Sequence, residues 1–278
     1  MFPVVSLLLF SILFLLLLKF LIKKLFGGKK TSIISESKYM PLESNDVACP
    51  YCSFKLERPP GRKKACPQCK KDIYVRTHPR SKKRILVRED QLLEIEEQWA
   101  IANGTHDSFL AVQKEKEKMT ASLRAKFGQE PSENDVQWGI LNKQLLKHAK
   151  NRDWGLYRND KLDMGRLLKK ENKLAQALDT FLEVCYLDVN GPMNRGGLDD
   201  PDLRKQFPDF DVEMEMLAPG VVGFIESIGS ELSLTTDDIR SRFLKIAERT
   251  HAALRLPVSP SVAWRKLYAE LDNIENIK

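Results

Sequence analysis

Residues 1–18, MFPVVSLLLFSILFLLLL, form an almost unbroken apolar run that continues past Lys19 through Phe20-Leu21-Ile22. A helix spans a bilayer with about 20 apolar residues, so residues 1–26 predict a transmembrane anchor. Lys19, near one end, can snorkel to the headgroups. From Glu89 onward apolar positions recur three and four apart, the helical period. Leu92, Leu93, Ile95, Trp99 and Ile101 predict one helix, closed by Gly104. Phe109, Val112, Met119, Leu123 and Phe127 predict a second, ended by Gly128. Pro131-Ser132 and Asp135 open a third that carries Val136, Trp138, Ile140, Leu141 and Leu145. Residues 154–170 and 174–187 predict two more around a turn at Glu171-Asn172-Lys173. The Thr236–Ile239 stretch caps a helix to about Ala253, and Pro260-Ser261 opens a last one. Residues 190–211, dominated by Gly, Pro and Asp, predict a surface loop. Ile73-Tyr74-Val75 reads as a strand.

The expected fold is therefore mostly α: an N-terminal transmembrane helix, a small β module and a C-terminal all-α domain. The boundaries expected are 1–26 for the anchor, 27–45 for a linker, 46–78 for the β module, 79–88 for a basic linker and 89–278 for the helical domain. A cleaved signal peptide is the competing reading of the first segment. No basic region precedes the apolar run and no small-x-small site follows it. Lys19, Lys23, Lys24, Lys29 and Lys30 all lie on its C-terminal side. The positive-inside rule then predicts a single-pass protein of the cell membrane, N-terminus outside and C-terminal domain cytoplasmic. The sequon at Asn103-Gly104-Thr105 reads accordingly as a helix-terminating turn and not a glycosylation site.

The candidate chemistry lies in CPYCSFKLERPPGRKKACPQCKKDIYVRTHP. Cys49, Cys52, Cys66 and Cys69 form two CxxC pairs with thirteen residues between them. Four thiolates satisfy one Zn²⁺ as a tetrahedron with no open position, so a site of this kind builds structure and does not catalyse. Residues 54–64, with Pro59-Pro60-Gly61 as a turn signal, are long enough to bring the two pairs together. This segment resembles a zinc ribbon, whose knuckles usually read CPxCG; here Ser53 and Lys70 stand where glycine would be. The resemblance implies structural Zn²⁺ held by all four cysteines. Paired redox CxxC motifs, an iron site with the same ligands and disulfides are the competing readings.

Residues 154–190 resemble a tetratricopeptide hairpin. Gly165, Leu168, Ala177 and Phe181 stand at the small-large-small-aromatic spacings of that family. The need behind the pattern is close helix packing, so it implies a hairpin before it implies binding. One good repeat is present, which predicts a helical bundle and not a repeat array. Cys185, among Phe181, Val184 and Leu187, reads as a core thiol. Together the segments loosely resemble uncharacterised bacterial or prophage-type membrane-anchored zinc-ribbon proteins, a likeness that carries no activity with it.

Charge changes the picture in one place. Of the +7 net charge, residues 55–88 alone carry +11, and residues 89–278 carry −7. Arg62, Lys63, Lys64, Lys82, Lys83 and Arg84 are the candidate contacts to phosphate or another anionic surface. Such a stripe can neutralise nucleic acid, hug an anionic leaflet, or be a solvated face or a dock for acidic protein. Five cysteines in 278 residues exclude a disulfide-dense secreted scaffold. No phosphate-binding loop, dinucleotide fingerprint or HExxH motif occurs. His78, His106, His148 and His251 are scattered, with His148 expected to be exposed. The expected function is accordingly non-enzymatic: an adaptor anchored in the bilayer by residues 1–22, whose helical domain binds a protein partner. The alternative is a membrane-tethered nucleic-acid-binding protein that uses the basic ribbon.

Overall fold

The computed structural model describes residues 39–41, 47–58, 60–196, 200, 202, 206 and 208–277. The predicted anchor and most of its linker lie outside the described residues. Among the described residues, no helix is long and apolar enough to cross a membrane. The fold is mostly helical with one small sheet, and the chain divides into two compact units at Gln113/Lys114.

The first unit is built on strands β1 (Met40–Pro41), β2 (Lys63–Ala65), β3 (Asp72–Thr77) and β4 (Arg84–Val87), followed by helix α1 (Leu92–Ala102). The sheet is antiparallel throughout, in the order β1-β4-β3-β2. Its register places Tyr74 opposite both Lys63 and Val87, and Val75 opposite Leu86. Side chains alternate between faces, and both faces are covered. On one, Ile73, Val75 and Leu86 pack with Val47, Cys49, Leu56 and Cys66. On the other, Ile85 and Val87 pack with Tyr39 and with Ile95 of α1, beside Leu92 and Trp99. Three expected boundaries differ from this arrangement. Residues 79–88 are not a linker, because Ile85, Leu86 and Val87 are fully buried in a strand. Residues 40–41, expected in the linker, pair with β4. Helix α1 belongs with the sheet, so the helical domain does not begin at Glu89. It ends at Ala102, and Gly104 takes the positive φ of 73° that closes it.

Helix α2 (His106–Phe127) carries the division between the units. The second unit continues with α3 (Glu133–Asn151), α4 (Trp154–Lys170), α5 (Leu174–Val189), α6 (Pro219–Glu231), α7 (Thr236–Leu254) and α8 (Pro260–Ile277). Two starts are capping boxes: Ser132 with Asp135 opens α3, and Thr235 with Asp238 opens α7. Helix α5 is the centre. Every residue from Val184 to Val189 is buried, and the helix packs against α4, α6, α7 and α8. Such all-round burial removes the solvent face that a surface helix keeps. Cys185 is fully buried here and its thiol is pushed far up by burial.

The buried polar side chains at the end of α5 are paired, as burial requires. Asp188 receives a bidentate bond from Arg158, at 2.5 and 2.6 Å. Burial pushes the Asp188 carboxyl up, and Arg158 opposes that. Asn190 takes the backbone N–H of Val258 at 2.8 Å and donates to the Tyr186 carbonyl at 2.7 Å, while the Tyr186 hydroxyl donates to Val258 O at 2.8 Å. These bonds tie the α7–α8 turn to the end of α5. His148 is not exposed as expected: it is half-buried and lies 2.6 Å from Asp160 of α4.

Helices α4 and α5 approach closely at Gly165. A Cβ added there would meet the Phe181 ring at 2.6 Å. Gly165→Ala is therefore expected to destabilise the protein by about 1–3 kcal/mol through overpacking. Adding Phe181→Leu should recover part of that loss, so the two changes will not be additive. Denaturant midpoints of the single and double variants check this; additive losses would place the strain elsewhere.

Candidate metal centre

The metal site begins with two tight turns that close in the same way. In residues 49–54, Cys49 N–H donates to Phe54 O at 2.9 Å and Ser53 N–H to Cys49 O at 2.9 Å. In residues 66–71, Cys66 N–H donates to Lys71 O at 2.8 Å and Lys70 N–H to Cys66 O at 3.0 Å. Ser53 and Lys70 hold left-handed φ values of 59° and 62°. Glycine enters that region at no steric cost, whereas a residue with a Cβ is disfavoured there. This is why the knuckle pattern prefers glycine at these two positions.

The turns bring all four sulfurs together, within 4.8 Å of one another. Cys49 and Cys69 Sγ are 3.8 Å apart, as are Cys52 and Cys66 Sγ. At a Zn–S distance of about 2.3 Å, the edge of a sulfur tetrahedron is about 3.8 Å. A disulfide would need about 2.05 Å, and the four cysteines are free thiols. The cluster is thus able to hold one metal ion. Cys49 and Cys66 are buried and Cys52 is exposed, so the site lies at the rim of the sheet's first core. Burial pushes the Cys49 thiol up to about 12. At Cys66 burial acts in the same direction, but the backbone N–H groups of Cys69 and Gln68, together with the Cys69 and Cys49 side chains, outweigh it and hold the thiol down at about 6.

A third turn of the same form joins β3 to β4. His78 N–H donates to Lys83 O at 2.8 Å, Lys82 N–H donates to His78 O at 2.9 Å, and Lys82 has φ 60°. His78 and Ser81 therefore occupy the places that Cys66 and Cys69 occupy in the second turn. Ser81 N–H donates to His78 Nδ1 at 3.3 Å, so the turn closes on its own side chains. The spacing of cysteines does not point to this turn. The sequence signal is the near-repeat CPQCKK and HPRSKK, with Pro after the first position and Lys-Lys at the end.

The six candidate basic residues are all exposed but do not form one surface. Lys63 and Lys64 are neighbours on β2 and point to opposite faces, and Lys63 pairs with Asp72 at 2.8 Å. Lys82, Lys83 and Arg84 gather at the β3–β4 turn. The Arg84 guanidinium donates to the Gly61 carbonyl, which draws Arg62 to the same end of the sheet. No family model, curated protein or solved structure matches this chain.

The thiolate set makes a definite prediction. The purified protein should carry one metal ion per chain by elemental analysis, and Cys66→Ser should lose most of it. Metal capture displaces protons from thiols, so a chelator should strip the ion more readily as pH falls. Metal retention that is unchanged between neutral and acidic pH would show that the thiolates are not its ligands.

Proposed function

We propose that this protein is a membrane-anchored interaction module. Residues 1–22 hold it in the bilayer, structural Zn²⁺ on Cys49, Cys52, Cys66 and Cys69 braces a zinc ribbon, and the helical unit engages a protein partner. The zinc reading is supported by sulfur separations that match a tetrahedral edge. A tetratricopeptide-like hairpin at residues 154–190 is supported by the Gly165–Phe181 packing. The anchor and its orientation rest on the apolar run and the lysines that follow it.

The observation that carries the partner reading is helix α2. It runs for 22 residues and buries none of them. Its end and the start of α3 line a cleft of about 460 Å³ that includes Leu123, Phe127, Trp138 and Gly139. Phe127 is 61% exposed and Trp138 37%. Exposed aromatics around an open cleft are the composition of a protein-binding surface. Neighbouring charges, such as Lys126 and Asp135, give that cleft the polar rim of an interface.

A photo-crosslinking residue at position 127 of the full-length protein, in native membranes, tests the reading. It should capture one protein that survives nuclease, and Trp138→Ala should abolish the adduct. The same residue placed at exposed Arg240 should capture nothing comparable. If only nucleic acid is captured, and nuclease removes it, the chain is instead a membrane-tethered nucleic-acid-binding protein.

A further inference from the structure

We infer that the third turn is a docking surface for anionic lipid headgroups, presented by Arg80, Lys82, Lys83 and Arg84 together with Arg62. The turn keeps the backbone form of the two cysteine turns but replaces both ligands, with His78 and Ser81. It is pinned from inside, because His78 and Pro79 are buried while Arg80, Lys82, Lys83 and Arg84 are exposed. The result is four cations on a rigid corner that needs no metal of its own. None of the five basic residues has an ion-pair partner among the described residues. No acid occurs between residues 58 and 71 or between 73 and 88.

Two observations decide between a lipid surface and a nucleic acid. The first is the state of the aromatic side chains. Strand-tracking nucleic-acid surfaces stack bases on open aromatic faces. Here Lys82 Nζ sits 4.1 Å over the Trp99 ring, Lys71 5.1 Å over Tyr51 and Lys63 5.2 Å over Tyr74. Those faces are already occupied by the protein's own cations. Lysine-rich clusters with no base platform suit a diffuse anionic surface. The second is reach. β1 enters the sheet beside Val87, and the basic turn lies at the opposite end of β4, just before Arg84 and about 10 Å away. Residues 23–38 separate the apolar run from Tyr39 and span at most about 55 Å. A tether of that length holds the turn near the leaflet, so weak individual contacts act at a high effective concentration.

The inference rests on the membrane-anchor reading, and one reconstitution separates the two. Full-length protein is placed in vesicles of phosphatidylcholine alone, or of phosphatidylcholine with phosphatidylserine. Amine-reactive labelling of Lys82 and Lys83 is read by mass spectrometry against Lys147 in the same sample. Phosphatidylserine should slow labelling of Lys82 and Lys83 about fivefold, the factor that one basic residue's attraction to an anionic leaflet gives. High salt should abolish the difference, and Arg80→Gln with Arg84→Gln should reduce it. Equal labelling in both vesicles overturns the inference. So does protection by an added RNA oligonucleotide in phosphatidylcholine vesicles with none from phosphatidylserine. Failure of the chain to float with phosphatidylcholine vesicles overturns the anchor instead; labelling of the chain added to phosphatidylserine vesicles then decides the docking surface by itself.

Discussion

Convergence of four sulfurs on one point is the constraint that the first unit depends on. β1 is two residues long and β2 three, and all three residues of β2 are exposed. Apart from the cysteines, a handful of side chains fills each side of the sheet. A core this small does not repay the conformational entropy of ordering its loops. A metal ion held by the four thiolates would, since apparent free energies of binding are about 10–16 kcal/mol in small zinc modules. Cys49 and Cys66 belong to the same buried cluster as Ile73, Val75 and Leu86, so ligation there would also brace the packing of the central hairpin.

The second unit needs no such brace. Helix α5 is enclosed by four other helices, and its end is fixed by the Arg158–Asp188 pair and the bonds around Asn190. Close approaches at Gly165 and Gly191 set the spacing. At Gly191, φ is 60° and an added Cβ would lie 1.7 Å from the Asp211 carbonyl oxygen. The protein thus combines a unit built around a four-cysteine cluster, next in sequence to the proposed membrane anchor, with a unit held by ordinary packing. Each unit leaves a different surface exposed: a cationic corner in the first, an apolar cleft in the second.

Long periodic segments were legible from the residues alone, though the cap of α7 is Thr235 and not the stretch beginning at Thr236, and so were the four cysteines, whose spacing admits few other chemistries. Other features were not, each for a physical reason. Helix α6 reads VVGFIESIGSE within its bounds, with β-branched residues and glycines that lower helix propensity, and packing against α5 overrides them. Strand β4 is four residues long and follows directly on a basic turn, so its three buried residues were lost in the charge pattern. The helical period of α1 shows that one face is buried but not that a sheet buries it. His148 has lysines beside it in sequence, yet its partner, Asp160, comes from the next helix. The third turn is hidden because it keeps the backbone of a metal knuckle and none of its thiols.

Amide hydrogen exchange of the purified protein, before and after removal of its metal by a chelator, is the most direct measurement. If the four thiolates organise the first unit, amides of β3 and β4 such as Val75 and Leu86 lose their protection on metal removal, and those of α5 such as Phe181 and Val184 keep theirs. Protection in β3 and β4 that survives complete metal removal would contradict the central role given to the cluster.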